Sequence, residues 1–238
     1  MSEEITGPFI QFIKQAEMTG PRLGVFASSF NPTTTAHVEL TRRAAREFLL
    51  DETLALAGLA NADKSEYDCS LEDRLRMLEL AFEGEPRVSI GVSSHAFFVD
   101  MVDALGSAYP PQTDLHFVVG FDTFERVVDR EDRYTRKYHR KFTDRMGALR
   151  YLLARSRLVV TGRRGSGEGE IRALVNRELK ELAGRVSYFD IPADIGEMSA
   201  TRVRDRVRAG LAIGGLVPRA VELYIKEKGL YGGERIQC

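Results

Sequence analysis

Between residues 28 and 37 the chain reads Ser28-Ser29-Phe30-Asn31-Pro32-Thr33-Thr34-Thr35-Ala36-His37, a small, hydroxyl-rich run ending on an imidazole. Small side chains let backbone amides approach an anion, and a helix starting there adds the positive end of its dipole. His37 falls at the start of that helix, aimed at whatever the loop holds, although a lone histidine there is more often a surface or capping residue. A second run, Met198-Ser199-Ala200-Thr201-Arg202-Val203-Arg204, has a related character. Ser-x-Thr before a basic helix is a common capping pattern, and its hydroxyls with the cation of Arg204 also suit an anionic ligand. Val118-Val119-Gly120-Phe121-Asp122 ends an apolar run on a carboxylate whose plainest use is to cap the next helix.

These residues sit on a regular alternation of elements. Residues 22–27 predict a short buried strand, and 37–50 a helix with Leu40, Ala44, Phe48 and Leu49 at helical spacing. Strands follow at 53–59, 87–92, 115–119, 157–161 and 186–189. Helices are expected at 71–82, 96–106, 168–182, 200–209 and 218–228. Such alternation implies a largely parallel sheet with helices on both faces, a Rossmann-like α/β domain over 21–238 with helices at 198–231 as its C-terminal piece. Ligands of such sheets bind at the carboxyl ends of the strands, near the point where the strand order reverses. Ahead of it, Thr6-Gly7-Pro8 followed by Phe9, Ile10, Phe12 and Ile13 predicts an N-terminal helix within 1–20, packed by one apolar face. Residues 129–150 interrupt the rhythm with dense charge and tyrosines; because acids and bases mix there, a solvated helix is favoured over a nucleic-acid patch. Gly165-Ser166-Gly167-Glu168-Gly169-Glu170 reads as a loop, since acids would repel a pyrophosphate.

Composition narrows the classes further. The chain has 238 residues, 43% hydrophobic and 29% charged, with a formal net charge of -1, so nothing overall attracts it to nucleic acid or an anionic membrane. Cys69 and Cys238 stand in no ligand or disulfide spacing. No apolar run approaches 18 residues, so no membrane span is expected, and a reducing cytoplasm is the default. The sequence is compatible with a homo-oligomer without specifying one.

The 28–37 run resembles the GxFxPxHxGH signature of the nucleotidyltransferase superfamily that includes nicotinamide and nicotinate mononucleotide adenylyltransferases. Ser28 stands at the family's first Gly, Thr34 at its first His and Ala36 at a frequent Gly, while the final His is kept as His37. The nicotinamide mononucleotide branch, similar to GSFNPxTxxH, also uses Thr at that place, and Asn31 and Pro32 fit it. Residues 198–204 resemble the family's ISSTxxR motif, and Gly210 to Tyr231 resembles its C-terminal run. The resemblance covers about residues 22–231, with some fifty residues inserted or diverged.

The resemblance implies in-line attack by an acceptor phosphate on the α-phosphate of ATP, with release of pyrophosphate and with Mg²⁺ accompanying the nucleotide. It assigns His37 to charge stabilisation at the α-phosphate and Ser199, Thr201 and Arg204 to the β- and γ-phosphates. Ser28, Ser29, Phe30, Asn31, Thr34, Gly120, Asp122 (on a ribose) and Arg163 complete the ATP side. Lys64, Arg74 and Asp100 fall where the family contacts its acceptor. The family stacks a Trp on the pyridine ring shortly after G-x-D; this chain has no Trp, and Tyr134 or Phe124 is the expected replacement. The implied products are NAD or its deamido form. Alternatives are a relative using CTP or another phosphorylated acceptor, a nucleotide-binding protein without turnover and, least favoured, an RNA-binding protein.

Overall fold

A computed structural model describes residues 7–59, 68–138, 141–162 and 167–232. Its strands are β1 (Ile10–Lys14), β2 (Arg22–Ser28), β3 (Glu52–Gly58), β4 (Val88–Ser93), β5 (Asp114–Gly120), β6 (Ser156–Thr161) and β7 (Val186–Phe189). Its helices are α1 (Thr35–Glu47), α2 (Leu71–Ala81), α3 (Phe98–Ala108), α4 (Phe121–Val128), α5 (Arg133–Tyr138), α6 (Arg145–Arg155), α7 (Glu168–Glu178), α8 (Ala193–Gly196), α9 (Ala200–Arg208) and α10 (Arg219–Lys228), with a 3-10 turn at Lys180–Arg185.

The strands form one sheet in the order β1-β4-β3-β2-β5-β6-β7. All neighbours pair in parallel except β1 with β4. Counted from β2, the six parallel strands follow the 3-2-1-4-5-6 order of a doubly wound nucleotide-binding fold, so the order reverses between β2 and β5. The expected α/β architecture is present.

Burial on both faces explains why the strands read as nearly continuous apolar runs. Leu23, Val25, Leu54, Leu56, Phe117 and Val119 face the layer made by α3, α4, α6 and α7. Phe26, Ala55, Ala57, Ile90, Val118 and Val159 face α1, α2, α9 and α10. Each fully buried Leu or Phe contributes roughly 1.5–3 kcal/mol by leaving water. At Gly24 a β-carbon would overlap a methyl of the Leu50 side chain, which would have to shift to admit it.

Two sequence expectations need correction. Residues 10–14 form the edge strand β1 instead of a helix, antiparallel to β4 with Ile10 opposite Ser93 and Phe12 opposite Gly91. Ile10, Phe12 and Lys14 turn toward the protein while Gln11 and Ile13 face out, a period of two. Phe12 meets Tyr109 edge-on at 5.9 Å between centroids.

The second concerns 129–150, where the described residues form a chain of caps and short helices. Asp129 ends α4 in the left-handed conformation (φ 48°), and the three carboxylates Asp129, Asp132 and Asp144 each accept backbone amides of a following helix. Arg145 and Arg150 of α6 pair with acids at and just beyond the end of α7, Arg145 with Glu178 at 2.8 Å and Arg150 with Glu181 at 3.0 Å. The expected helix over 168–182 also divides, α7 ending at Glu178 before the 3-10 turn. Among the described residues no helix is long and apolar enough to cross a membrane.

Candidate functional site

A cleft of about 510 Å³ opens at the carboxyl ends of β2 and β5, the place where the strand order reverses. Ser28, Ser29, Thr34 and His37 line one side, Gly120 and Asp122 the floor, and Ser199, Thr201 and Arg204 the other side. The N-termini of α1, α4 and α9 therefore all open onto it. Each presents backbone N–H groups lacking helical partners, and their dipoles add a positive potential suited to phosphates.

Local chemistry fixes His37. Thr34 is the N-cap of α1 in extended conformation, and its hydroxyl accepts from the His37 amide at 3.3 Å. The Thr34 amide in turn donates to His37 Nδ1 at 2.9 Å, and Thr34 Oγ1 lies 3.0 Å from the same nitrogen. This is a reciprocal capping box with histidine in the place usually held by Glu or Gln. Because Nδ1 receives a backbone N–H, the neutral ring carries its proton on Nε2. Nε2 stands 3.5 Å from Ser28 Oγ, and both residues line the cleft. Phe26 and Phe30 pack on the ring at 5.7 and 5.1 Å.

Several residues expected to touch nucleotide build the loop instead. Phe30 is fully buried, with φ 46°, and its ring turns into the core. Asn31 is buried too: its Oδ1 accepts from Tyr231 hydroxyl at 2.8 Å and from the Cys69 thiol at 3.2 Å. Its carbonyl accepts from Arg204 Nη1 at 2.7 Å. Burial pushes both the Cys69 thiol and the Tyr231 hydroxyl up from their ordinary values, so both stay protonated as donors. Arg204 lies at the cleft wall, 7% exposed, with Nε 2.7 Å from Asp68 and Nη2 3.3 Å from Thr201 Oγ1. That Nε contact is an ion pair with poor hydrogen-bond alignment, since Nε has no geometric hydrogen-bond partner. Arg74 is buried and donates to the carbonyls of Ser29 and Gly58 at 3.0 and 3.2 Å, tying α2 to the ends of β2 and β3 rather than facing the cleft.

On the other side of the cleft, Phe97 and Tyr134 line the wall with ring centroids 6.3 Å apart. Phe124 is fully buried in the core beneath α4, which leaves Tyr134 as the aromatic residue in place. Asp122 faces the cleft from the second position of α4, whose N-cap is Gly120 and not Asp122. Asp100 sits in the first turn of α3, outside the cleft lining. Lys64 and Arg163 lie outside the described residues. Ser199 caps α9 by accepting from the Arg202 amide at 3.2 Å, as its position predicts.

The sequence reading missed Arg126, Asp129, Arg145 and Phe97, all of which line the cleft. Arg126 donates to the Asp122 carbonyl and to Thr123 Oγ1. For Asp129 no local signal existed, because it caps α5 from the end of the preceding helix. Among the described residues, no group of three or more His, Cys, Asp or Glu is placed to hold a metal.

Comparison with known proteins agrees with this geometry. The cytidylyltransferase-like family matches residues 25–206. A relative from Gemmatimonas aurantiaca, named "Probable nicotinate-nucleotide adenylyltransferase", is 31% identical over 217 residues, covering 88% of this chain and 92% of its own. One of the same name from Gloeobacter violaceus is 29% identical over 219 residues, covering 89% and 97%. In three dimensions the chain is similar to Plasmodium falciparum nicotinic acid mononucleotide adenylyltransferase, solved with NaAD. The TM-score is 0.66, identity is 13%, and coverage is 89% of this chain and 98% of that one. The loop before α1, the strand β5 ending in Gly-x-Asp and the capped start of α9 face one cleft in the order of that family, and the chain belongs to the cytidylyltransferase-like family as a nucleotidyltransferase.

Proposed function

We propose that the chain transfers the adenylyl group of ATP to a pyridine mononucleotide, giving NAD or its deamido form and pyrophosphate. The observation that carries this is the placement of His37: the Thr34 amide consumes Nδ1 and leaves Nε2–H at the cleft between the N-termini of α1 and α9. A phosphate oxygen of the acceptor attacks the α-phosphorus of ATP, the bond to the β-phosphate oxygen breaks, and pyrophosphate leaves with the electron pair. His37 Nε2–H donates to the α-phosphate as negative charge builds there, a role preorganised by the capping box. Ser199, Thr201 and the amides opening α9 receive the β- and γ-phosphates, with Arg204 bracing Thr201 and the Asn31 carbonyl beside them. Ser28, Ser29 and Thr34 complete the phosphate side, and Gly120 with Asp122 meets the nucleoside. Mg²⁺ enters as part of the nucleotide substrate, since phosphate oxygens and water suit its octahedral demand without a carboxylate cage.

The names of the relatives favour a nicotinate acceptor, and the rings of Phe97 and Tyr134, tilted 57° to each other, give the cleft an aromatic wall on which one ring face can stack a pyridine. We place this activity in the cytoplasm, where ATP and reduced thiols are found. The test is pyrophosphate release from Mg-ATP, and separately Mg-CTP, with nicotinate mononucleotide, nicotinamide mononucleotide and pantetheine phosphate. Turnover with a pyridine nucleotide and ATP is expected. Turnover with pantetheine phosphate alone would discard the pyridine acceptor and keep nucleotidyl transfer, and none with any pair would leave a binding protein.

A further inference from the structure

The geometry points to Asp129 as a positioning residue that sets the acceptor side of the cleft through Tyr134; this rests on the pyridine-acceptor reading above. Asp129 is 7% exposed and ends α4, where the helix dipole is negative and a carboxylate is electrostatically misplaced. Its conformation, φ 48° and ψ 50°, is one that Gly or Asn fills at less cost or without a charge. The side chain therefore serves something other than α4.

What it serves is α5. The Tyr134 amide donates to both carboxylate oxygens at 3.0 and 3.1 Å, and the Thr135 amide and hydroxyl each donate to Oδ2 at 2.8 Å. Tyr134 and Thr135 are the second and third residues of α5, so these are the orphan amides that a helix's own N-cap would take. Asp132, which precedes α5, instead accepts from the Arg145 amide at 2.8 Å and toward α5 only from the exposed Arg136 guanidinium at 3.4 Å, its carboxylate taking none of the α5 amides among the described residues. A six-residue helix is too short to hold itself in water, so the orientation of Tyr134 depends on the carboxylate of the preceding helix. Asp129, Tyr134 and Thr135 all line the cleft, with the Phe97 ring beside the tyrosine on the same wall.

Asp129 thus couples the end of α4, whose start carries Asp122, to the aromatic wall formed by Tyr134 and Phe97. Fixing the wall before the acceptor arrives lowers the ordering cost of binding it. The effect belongs to acceptor affinity; the phosphates of ATP and the transfer step lie at α1 and α9.

Asp129→Gly removes the carboxylate while allowing the left-handed backbone, and Asp129→Asn keeps an acceptor oxygen in the same conformation. With Mg-ATP and the better pyridine mononucleotide, Asp129→Gly is expected to raise the acceptor KM about tenfold or more. Its kcat and its KM for ATP should stay within about twofold, and Asp129→Asn should recover most of the loss. In a Tyr134→Ala background Asp129→Gly should add little, because both changes remove one device. An unchanged acceptor KM in Asp129→Gly, an equal fall in kcat, or full additivity with Tyr134→Ala overturns the assignment. Failure of the unmutated protein on both pyridine nucleotides is a different result: it overturns the acceptor reading, and this inference with it.

Discussion

His37→Ala deletes the Nε2 donor and should lower turnover by roughly 10²-fold or more, the usual cost of losing one preorganised donor to developing charge. Pyrophosphate release measured beside a thermal melt checks it, because near wild-type turnover in a folded variant would remove the imidazole from the mechanism. Thr34 makes a sharper case. Thr34→Ala loses the N-cap hydroxyl, worth about 1 kcal/mol of stability, and loosens one of two contacts on Nδ1. Thr34→Ser should restore both stability and kcat, and an equal deficit in the two variants would deny the hydroxyl its part. Arg204→Ala should weaken ATP binding by about 1.5–3 kcal/mol, the range for a charged hydrogen bond, through loss of the clasp on Asn31 as much as through any phosphate contact. Lysine at that position should not rescue, since one ammonium cannot span the Asn31 carbonyl, Thr201 and Asp68 together. Calorimetric titration with ATP decides it. Residue types in the 28–37 loop announced an anion site, but not which way each side chain turns. Asn31 and Arg74 have suitable chemistry and point inward because of Tyr231 and the Ser29 carbonyl, partners remote in sequence.

The alternation of strands and helices was legible because the parallel strands β2 to β6 are largely buried on both faces and each main helix carries an apolar stripe. Residues 9–13 deceived because their apolar positions satisfy a helical spacing as well as a two-residue period; only pairing with β4 chooses between them. The 129–150 stretch was legible as rich in charge, but not as a set of caps, since capping across helices leaves no fixed spacing, nor as the start of a core helix, α6, whose Ala148 and Leu149 are buried. Asp144 shows this capping at work. The Gly147 N–H on its carboxylate, despite an opposing desolvation, holds its pKa below the ordinary value. A depressed folded-state pKa contributes stability that is present above the unfolded value of about 3.9 and is lost as pH falls through the folded one. Asp144→Ala should therefore be less stable than wild type at neutral pH and converge with it in acid. Urea melts at pH 7 and near pH 3 test this; a constant difference would mean the cap carries no charge-dependent part.

Over the whole molecule, among the described residues, the hydroxyls of four tyrosines, Tyr109, Tyr188, Tyr224 and Tyr231, are tied into polar contacts that resist ionisation. Burial, then the Glu52 carboxylate at 2.6 Å, pushes Tyr109 well up; burial, then Cys69, does the same to Tyr231; burial, then Asp73, takes Tyr224 to about 12. A raised folded-state pKa gives stability that is intact below the unfolded value of about 10 and falls as pH climbs above it. Ultraviolet titration should show Tyr109 and Tyr231 ionising only with unfolding, and the double change to Phe should flatten the alkaline loss of stability. Early, reversible ionisation of all eight would contradict this. Finally, the Tyr231 hydroxyl reaches Asn31 across 200 residues of sequence. At a synthesis rate of 5–20 residues per second, roughly 10–40 s separate the two on the ribosome. During that interval a nascent chain holds the loop without its last brace.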